Sequence, residues 1–147
     1  MGMYTELVFA SSIKKEYNKD KIVDTLKYMI EDNEMDKAFE YPEHSFFKTS
    51  RGIDMFHSGS GYFDMRPSSK FYYEAVSEKY YLNVICNLKN YDNEILLFLD
   101  WIYPYLNNFD GEFLGYFRYE EFKIPTFIFY GRDRIEFKEL GSNVNNS

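Results

Sequence analysis

Few side chains here can do acid–base, nucleophilic or metal chemistry. The histidines are His44 and His57, thirteen apart, and the one thiol is Cys86. No His-x-x-x-His, His-x-His or Cys-x-x-Cys spacing occurs, so they make no metal-ligand pattern. Asp54 with His57 comes nearest to an acid–base pair. On a strand, positions i and i+3 face opposite sides, so these two meet only if the segment turns. The loop His57-Ser58-Gly59-Ser60-Gly61 could offer backbone N–H groups to a phosphate. It lacks the glycine spacings of nucleotide-binding loops and no clear helix follows it, so a hairpin turn is the simpler reading. Gly-x-Ser-x-Gly is absent, which leaves no nucleophile elbow. Cys86 falls on the apolar side of its strand and reads as core. Arg132-Asp133-Arg134 reads as a turn. The expectation is no catalytic residue, no metal and no cofactor. Two alternatives stay open: a phosphate-handling enzyme built on His57–Gly61, and a protein that sequesters a small molecule or nucleotide in an aromatic pocket.

The elements that would position these residues follow from hydrophobic period. Tyr4 to Ile13 alternates, with Leu7, Phe9 and Ile13 on one side and Glu6, Val8, Ala10 and Ser12 on the other, as a strand does. Ile22, Leu26, Met29 and Ile30 make a helical stripe over 19–31, with Asn18 or Asp20 as its cap. Between 44 and 89 the pattern predicts short strands at Phe46–Lys48, Ile53–Phe56 and Phe71–Val76. A hairpin turn at 58–61 would lead into Tyr62–Met65. Tyr80 to Leu88 is the clearest strand, with Leu82, Val84, Cys86 and Leu88 alternating against Tyr81, Asn83, Ile85 and Asn87. A second helix over 92–106, capped by Asn90 or Asp92, stripes Ile95, Phe98, Leu99, Ile102, Tyr105 and Leu106; Pro104 bends or ends its last turn. Glu112–Tyr119 and Thr126–Tyr130 close the chain as strands.

Strand, polar turn and helix therefore occur twice, which predicts an α+β fold. A mostly antiparallel sheet of five to seven strands carries two helices on one face, in a ferredoxin-like split β-α-β arrangement if the repeat is a duplication. Residues 1–140 make one domain and 141–147 a polar tail. The expected core is Leu7, Phe9, Leu26, Met29, Ile30, Leu82, Val84, Leu88, Ile95, Leu99, Ile102 and Phe117.

The chain has 147 residues, 21% of them aromatic, which supplies a core without disulfides or metal. A lone cysteine fits a reducing compartment. No basic, apolar pre-sequence opens the chain, and no stretch nears the roughly 18 apolar residues of a membrane span. The expected location is cytoplasmic.

Net charge is −7, with nine acids against four bases over 16–43 and seven against one over 90–121. That balance argues against a whole-surface grip on nucleic acid. It places the negative charge on the two helices and the segments after them. This is either a solvated face or an acidic surface shaped for a basic groove, contributed by Asp24, Glu31, Asp32, Glu34, Asp36, Asp92, Glu94 and Asp100. The other sheet face carries Val8, Ala10, Tyr81, Ile85, Leu114, Tyr116 and Arg118. It is an association surface for a partner or second copy, with Tyr81, Tyr116 and Arg118 as contacts, unless other segments cover it.

Phrases across the chain carry a resemblance: Met3–Leu7; Tyr80-Tyr81-Leu82; Asn87 to Ile95; Phe98-Leu99-Asp100-Trp101-Ile102 with Pro104-Tyr105; and Gly115 to Glu121. They are similar to small uncharacterised proteins encoded by bacteriophages and integrated elements. The resemblance brings no catalytic residues. It implies a small accessory phage protein, acting in the host cytoplasm by binding and inhibiting or modulating a host defence protein such as a nucleic-acid-binding effector.

Overall fold

Period-2 and period-3.6 segments alternate along the chain, and the layers follow from which face each must bury. The structure, a computed structural model, describes residues 3–14, 21–32, 39–60, 63 and 66–139. Strand β1 (Thr5–Lys14) is followed by helix α1 (Ile22–Lys27), which runs into a π-helical turn at Tyr28–Asp32. Two 3₁₀ segments come next, Ser45–Lys48 and Gly52–His57. Strands β2 (Ser68–Glu74) and β3 (Lys79–Leu88) precede helix α2 (Glu94–Ile102), which ends in a 3₁₀ turn at Tyr103–Tyr105. Strands β4 (Phe113–Tyr119), β5 (Thr126–Tyr130) and β6 (Ile135–Glu139) complete the order.

The six strands form one sheet in the order β2-β3-β1-β4-β5-β6, every neighbour antiparallel. Helices follow β1 and β3, and β2-β3-β1-β4 with those two crossovers is the split β-α-β arrangement. The β5–β6 hairpin extends it at the β4 side.

Both helices lie on the face that carries Leu7, Phe9, Ile13, Leu82, Val84 and Cys86, all at most 2% exposed. Phe9 meets Phe98 of α2 edge to face at 5.5 Å, and Lys27 of α1 sits over the Tyr80 ring at 5.9 Å. Phe98 also contacts the rings of Phe46, Phe56 and Trp101, so α2 and both 3₁₀ segments meet around it. Of the predicted core, Ile30 and Phe117 are half-buried and the others at most 1% exposed.

Several expectations change. Phe46–Lys48 and Ile53–Phe56 are 3₁₀ turns rather than strands. Local bonds decide this for the first: His44 Nδ1 accepts the Phe46 N–H at 3.1 Å, and Thr49 Oγ1 donates to the Phe46 carbonyl at 2.8 Å. With no strand before it, 58–61 makes no hairpin; Gly61, Tyr62, Asp64 and Met65 lie outside the described residues. Helix α1 starts at Ile22 from a left-handed Lys21 (φ 64°), and Asn18 and Asp20 lie outside the described residues. Helix α2 starts after Asn93 (φ 63°). Asn90 Oδ1 still accepts a first-turn donor, the Ile95 N–H at 2.9 Å, whereas Asp92 turns to the Ser50 N–H. Leu114 is 2% exposed and belongs to the core cluster. The register shifts between Phe113 and Gly115, and this bulge takes Leu114 off the open face. Strand β6 was not foreseen, and residues 141–147 lie outside the described residues.

Candidate functional site

Three places bear on function: the acids of the helix layer, a cleft beside the second 3₁₀ turn, and the sheet face away from the helices.

Of the expected acidic contributors, Asp24, Glu31, Asp92 and Asp100 are exposed. Glu94 is fully buried, and this corrects its assignment to a partner surface. Its carboxylate accepts the Arg51 N–H at 3.2 Å and the Asp92 N–H at 3.1 Å, with the Arg51 guanidinium 3.9 Å away. Asp92 accepts the Ser50 N–H at 2.9 Å, a bond that holds its carboxyl below the ordinary carboxylate value. Asp100 lies 2.9 Å from His44 Nε2. The Asp32 side chain, Glu34 and Asp36 lie outside the described residues. Other acids of 90–121 sit at the ends of β4. Glu112 accepts from Phe109 and Asn108, and Glu120 accepts the Tyr4 N–H. The negative charge is thus divided between helix surfaces and turn clamps.

The cleft holds about 480 Å³ and is lined by Tyr4, Arg51, Asp54, His57, Ser58, Gly59, Leu88 and Lys89. Because Gly52–His57 is a 3₁₀ turn, positions i and i+3 eclipse, and Asp54 and His57 share this cleft as no strand would allow. His57 Nε2 lies 3.0 Å from the Met29 carbonyl. That oxygen only accepts, so Nε2–H is the donor of this bond. Ser58 Oγ donates to the Asp54 carbonyl at 2.9 Å. Arg51 leans on Tyr91 (5.3 Å) and Lys89 on Tyr4 (5.8 Å), so both cations are held at the rim by aromatic rings. The rim offers two cations to an anion, offset by Asp54 in the lining and by Glu94, 3.9 Å from the Arg51 guanidinium.

On the sheet face away from the helices, β-pairing sets the rows. Tyr72 pairs with Tyr81, Ile85 with Val8, Val8 with Tyr116, and Tyr116 with Phe127. Phe113 pairs with Phe129 on the same face. Tyr72 and Phe113 are 49% and 53% exposed, and Tyr81, Tyr116, Phe127, Phe129, Val8 and Ile85 are half-buried. Tyr72 and Tyr81 stack at 5.7 Å. Burial and the Glu6 carboxylate raise the Tyr116 hydroxyl above its ordinary 10. Arg118 faces the same way but is committed. Its Nε donates to Glu6 at 2.9 Å, its Nη1 to the Phe122 carbonyl at 2.9 Å, and its guanidinium lies 5.2 Å from the Phe63 ring. Glu6, Asn87 and Phe63 are each at most 8% exposed, so this end of the face is closed and the Tyr72–Tyr116–Phe129 expanse is open. Tyr81 and Tyr116 stand as sequence reasoning placed them. Phe113, Phe127 and Phe129 were missed, although the alternation Phe127, Phe129 along Thr126–Tyr130 signalled a common face.

Cys86 is 2% exposed, and burial pushes its thiol up to about 12. Among the described residues no group of three or more His, Cys, Asp or Glu is placed to hold a metal. No helix among them is long and apolar enough to cross a membrane. Comparison with known proteins gave no matching family model, no matching curated protein and no matching solved structure.

Proposed function

We propose that this chain is a non-enzymatic accessory protein of the phage type that binds a host protein and inhibits or modulates it, and that it holds its partner on the open sheet face. One observation carries the reading: the aromatic expanse of Tyr72, Tyr81, Tyr116, Phe113, Phe127 and Phe129 on a sheet with helices on its other face. These rings form two groups, Tyr72 with Tyr81 and Tyr116 with Phe113, Phe127 and Phe129, separated by the Asn83–Ala10 row. Exposed aromatic surface marks an interaction site, and aromatic side chains dominate interface energetics. Lys70 and Lys138 are exposed at its margins beside Glu74 and Glu136 of the same face, so the fitting partner is an apolar patch with a rim of both charges. The acidic-helix version of the proposal is weakened by Glu94, which cannot reach a partner, and by the dispersal of the remaining acids.

The test is capture of a partner from host lysate with the full chain, followed by affinity measurements on variants. Tyr81→Ala with Tyr116→Ala should weaken the captured complex at least roughly tenfold. Reversal of Asp24, Glu31 and Asp100 to Lys should leave it within about threefold. The opposite pattern would show that the helix face is the binding surface.

The cleft favours a second reading, anion binding or phosphate handling at Arg51, His57, Ser58, Gly59 and Lys89. Turnover of a nucleotide or phosphoester that His57→Ala abolishes while the protein stays folded would establish it. Absence of turnover and of phosphate or nucleotide binding would remove it.

A further inference from the structure

Strand β6 borders the sheet, and no strand pairs with its outer side among the described residues. Its five residues pair with β5 without a bulge, and all are half-buried or exposed, Phe137 at 43%. A regular edge strand is a template for another strand. Arg134 to Lys138 line an open groove of about 480 Å³ at this edge. Phe137 also shares a hollow of about 280 Å³ with Leu96, Leu99 and Tyr103 beside α2.

We propose that this chain forms a two-fold dimer by antiparallel pairing of β6 with β6 of a second copy, centred on Phe137. This goes beyond the partner-binding reading and does not depend on it. The argument is charge complementarity fixed by register. Paired residues share a sheet face. A two-fold axis at an edge therefore stands perpendicular to the sheet and passes through one residue paired with itself. With Phe137 on the axis, Glu136 faces Lys138 of the second copy and Lys138 faces its Glu136, two opposite-charge pairs on the open face. On the helix side Phe137 meets Phe137, and Ile135 meets Glu139. With Glu136 or Lys138 on the axis instead, like charge meets like charge at the centre. The other border, β2, makes a like match when centred on Tyr72, which sets Lys70 against Glu74. There the Glu74 carboxylate already accepts the Val76 and Ser77 N–H groups and the Ser77 hydroxyl. Glu136 and Lys138 are both exposed, so β6 is the edge that presents its charges, and pairing joins two six-stranded sheets with all helices on one side.

A five-residue edge buries less than the roughly 1,000 Å² of a stable interface, so the dimer is a weak one and is sought at high concentration. Sedimentation velocity on the full chain between about 10 μM and about 1 mM should show reversible monomer–dimer exchange. Glu136→Lys alone, and Lys138→Glu alone, place like charges in both pairs and should each raise the dissociation constant roughly tenfold. The double variant restores both pairs and should recover the original value. An equimolar mixture of the two single variants should form a heterodimer, since each supplies what the other lacks. In the unaltered chain, amide exchange in β6 should slow as concentration rises, a readout that needs no variant. A monomer throughout the range, dimerisation indifferent to the single reversals, no recovery in the double variant or the mixture, or β6 exchange independent of concentration would each overturn the proposal.

Discussion

Two backbone donors and a cation converge on the buried Glu94 carboxylate: the N–H groups of Arg51 and Asp92, and the Arg51 guanidinium at 3.9 Å. It ties the entry to the second 3₁₀ turn to the first turn of α2. Glu94→Ala leaves two backbone donors unmet in a closed site and should cost about 3 kcal/mol in a urea titration. Glu94→Gln keeps an acceptor oxygen and should cost roughly half as much. Asp92 works from the exposed side of the same junction, where the Ser50 N–H holds its carboxyl below the ordinary 3.8. A carboxyl depressed in the folded state adds stability above its unfolded value and loses it as pH falls through the folded one. The unaltered protein should therefore lose stability below about pH 4 in part through this group. Asp92→Asn, which cannot titrate, should be less stable at neutral pH, and the gap between the two melting curves should close as acid is added. A gap that stays constant with pH would show that Asp92 has no role at the junction. Glu94 also shows what the charge pattern concealed. Its sequence position marks it as a first-turn helical acid, yet Arg51, remote in sequence, decides that it points inward.

Helix α2 was legible from its stripe because Ile95, Phe98, Leu99 and Ile102 repeat at helical spacing, and all four are at most 1% exposed. Leu99→Ala removes a side chain packed within that stripe and should cost roughly 2–5 kcal/mol in denaturant. A near-neutral result would mean that the helix can rotate its stripe away from the sheet. Strands β1 and β3 were legible for the same reason at period 2. The segments between 44 and 58 were not. Phe46-Phe47 and Ile53 to Phe56 are short apolar runs, too brief to distinguish a strand from a turn of helix. Side-chain bonds from His44 and Thr49 to the backbone settle the first of them as 3₁₀. Asp54 and His57 were legible as a pair only on condition of a turn, and they share a cleft because the second segment is 3₁₀. Strand β6 escaped because Ile-Glu-Phe-Lys-Glu is charged on its open face and carries only two apolar side chains, Ile135 and Phe137, towards the helices. Such a strand is held by its β5 ladder more than by burial.

Across the whole molecule, net charge −7 was legible as a number but not as a surface, because Glu94 is buried and Glu112 and Glu120 clamp the ends of β4. What the fold concentrates instead is aromatic area on the open sheet face. This bears on how a partner should bind. Apolar burial removes hydrated surface and so gives a negative heat-capacity change, whereas contacts between exposed charges weaken as salt screens them. Calorimetry of the captured complex at several temperatures should therefore show enthalpy becoming more favourable on warming. Raising salt from about 0.1 M to about 0.5 M, which shortens the screening length roughly twofold, should shift affinity by less than about threefold. The Tyr81→Ala and Tyr116→Ala variant should lose part of that heat-capacity change while unfolding at nearly the same denaturant concentration, because neither ring is fully buried in the free protein. A complex whose affinity falls steeply with salt and whose binding enthalpy is flat with temperature would place the interface on the carboxylates and leave the aromatic face unused.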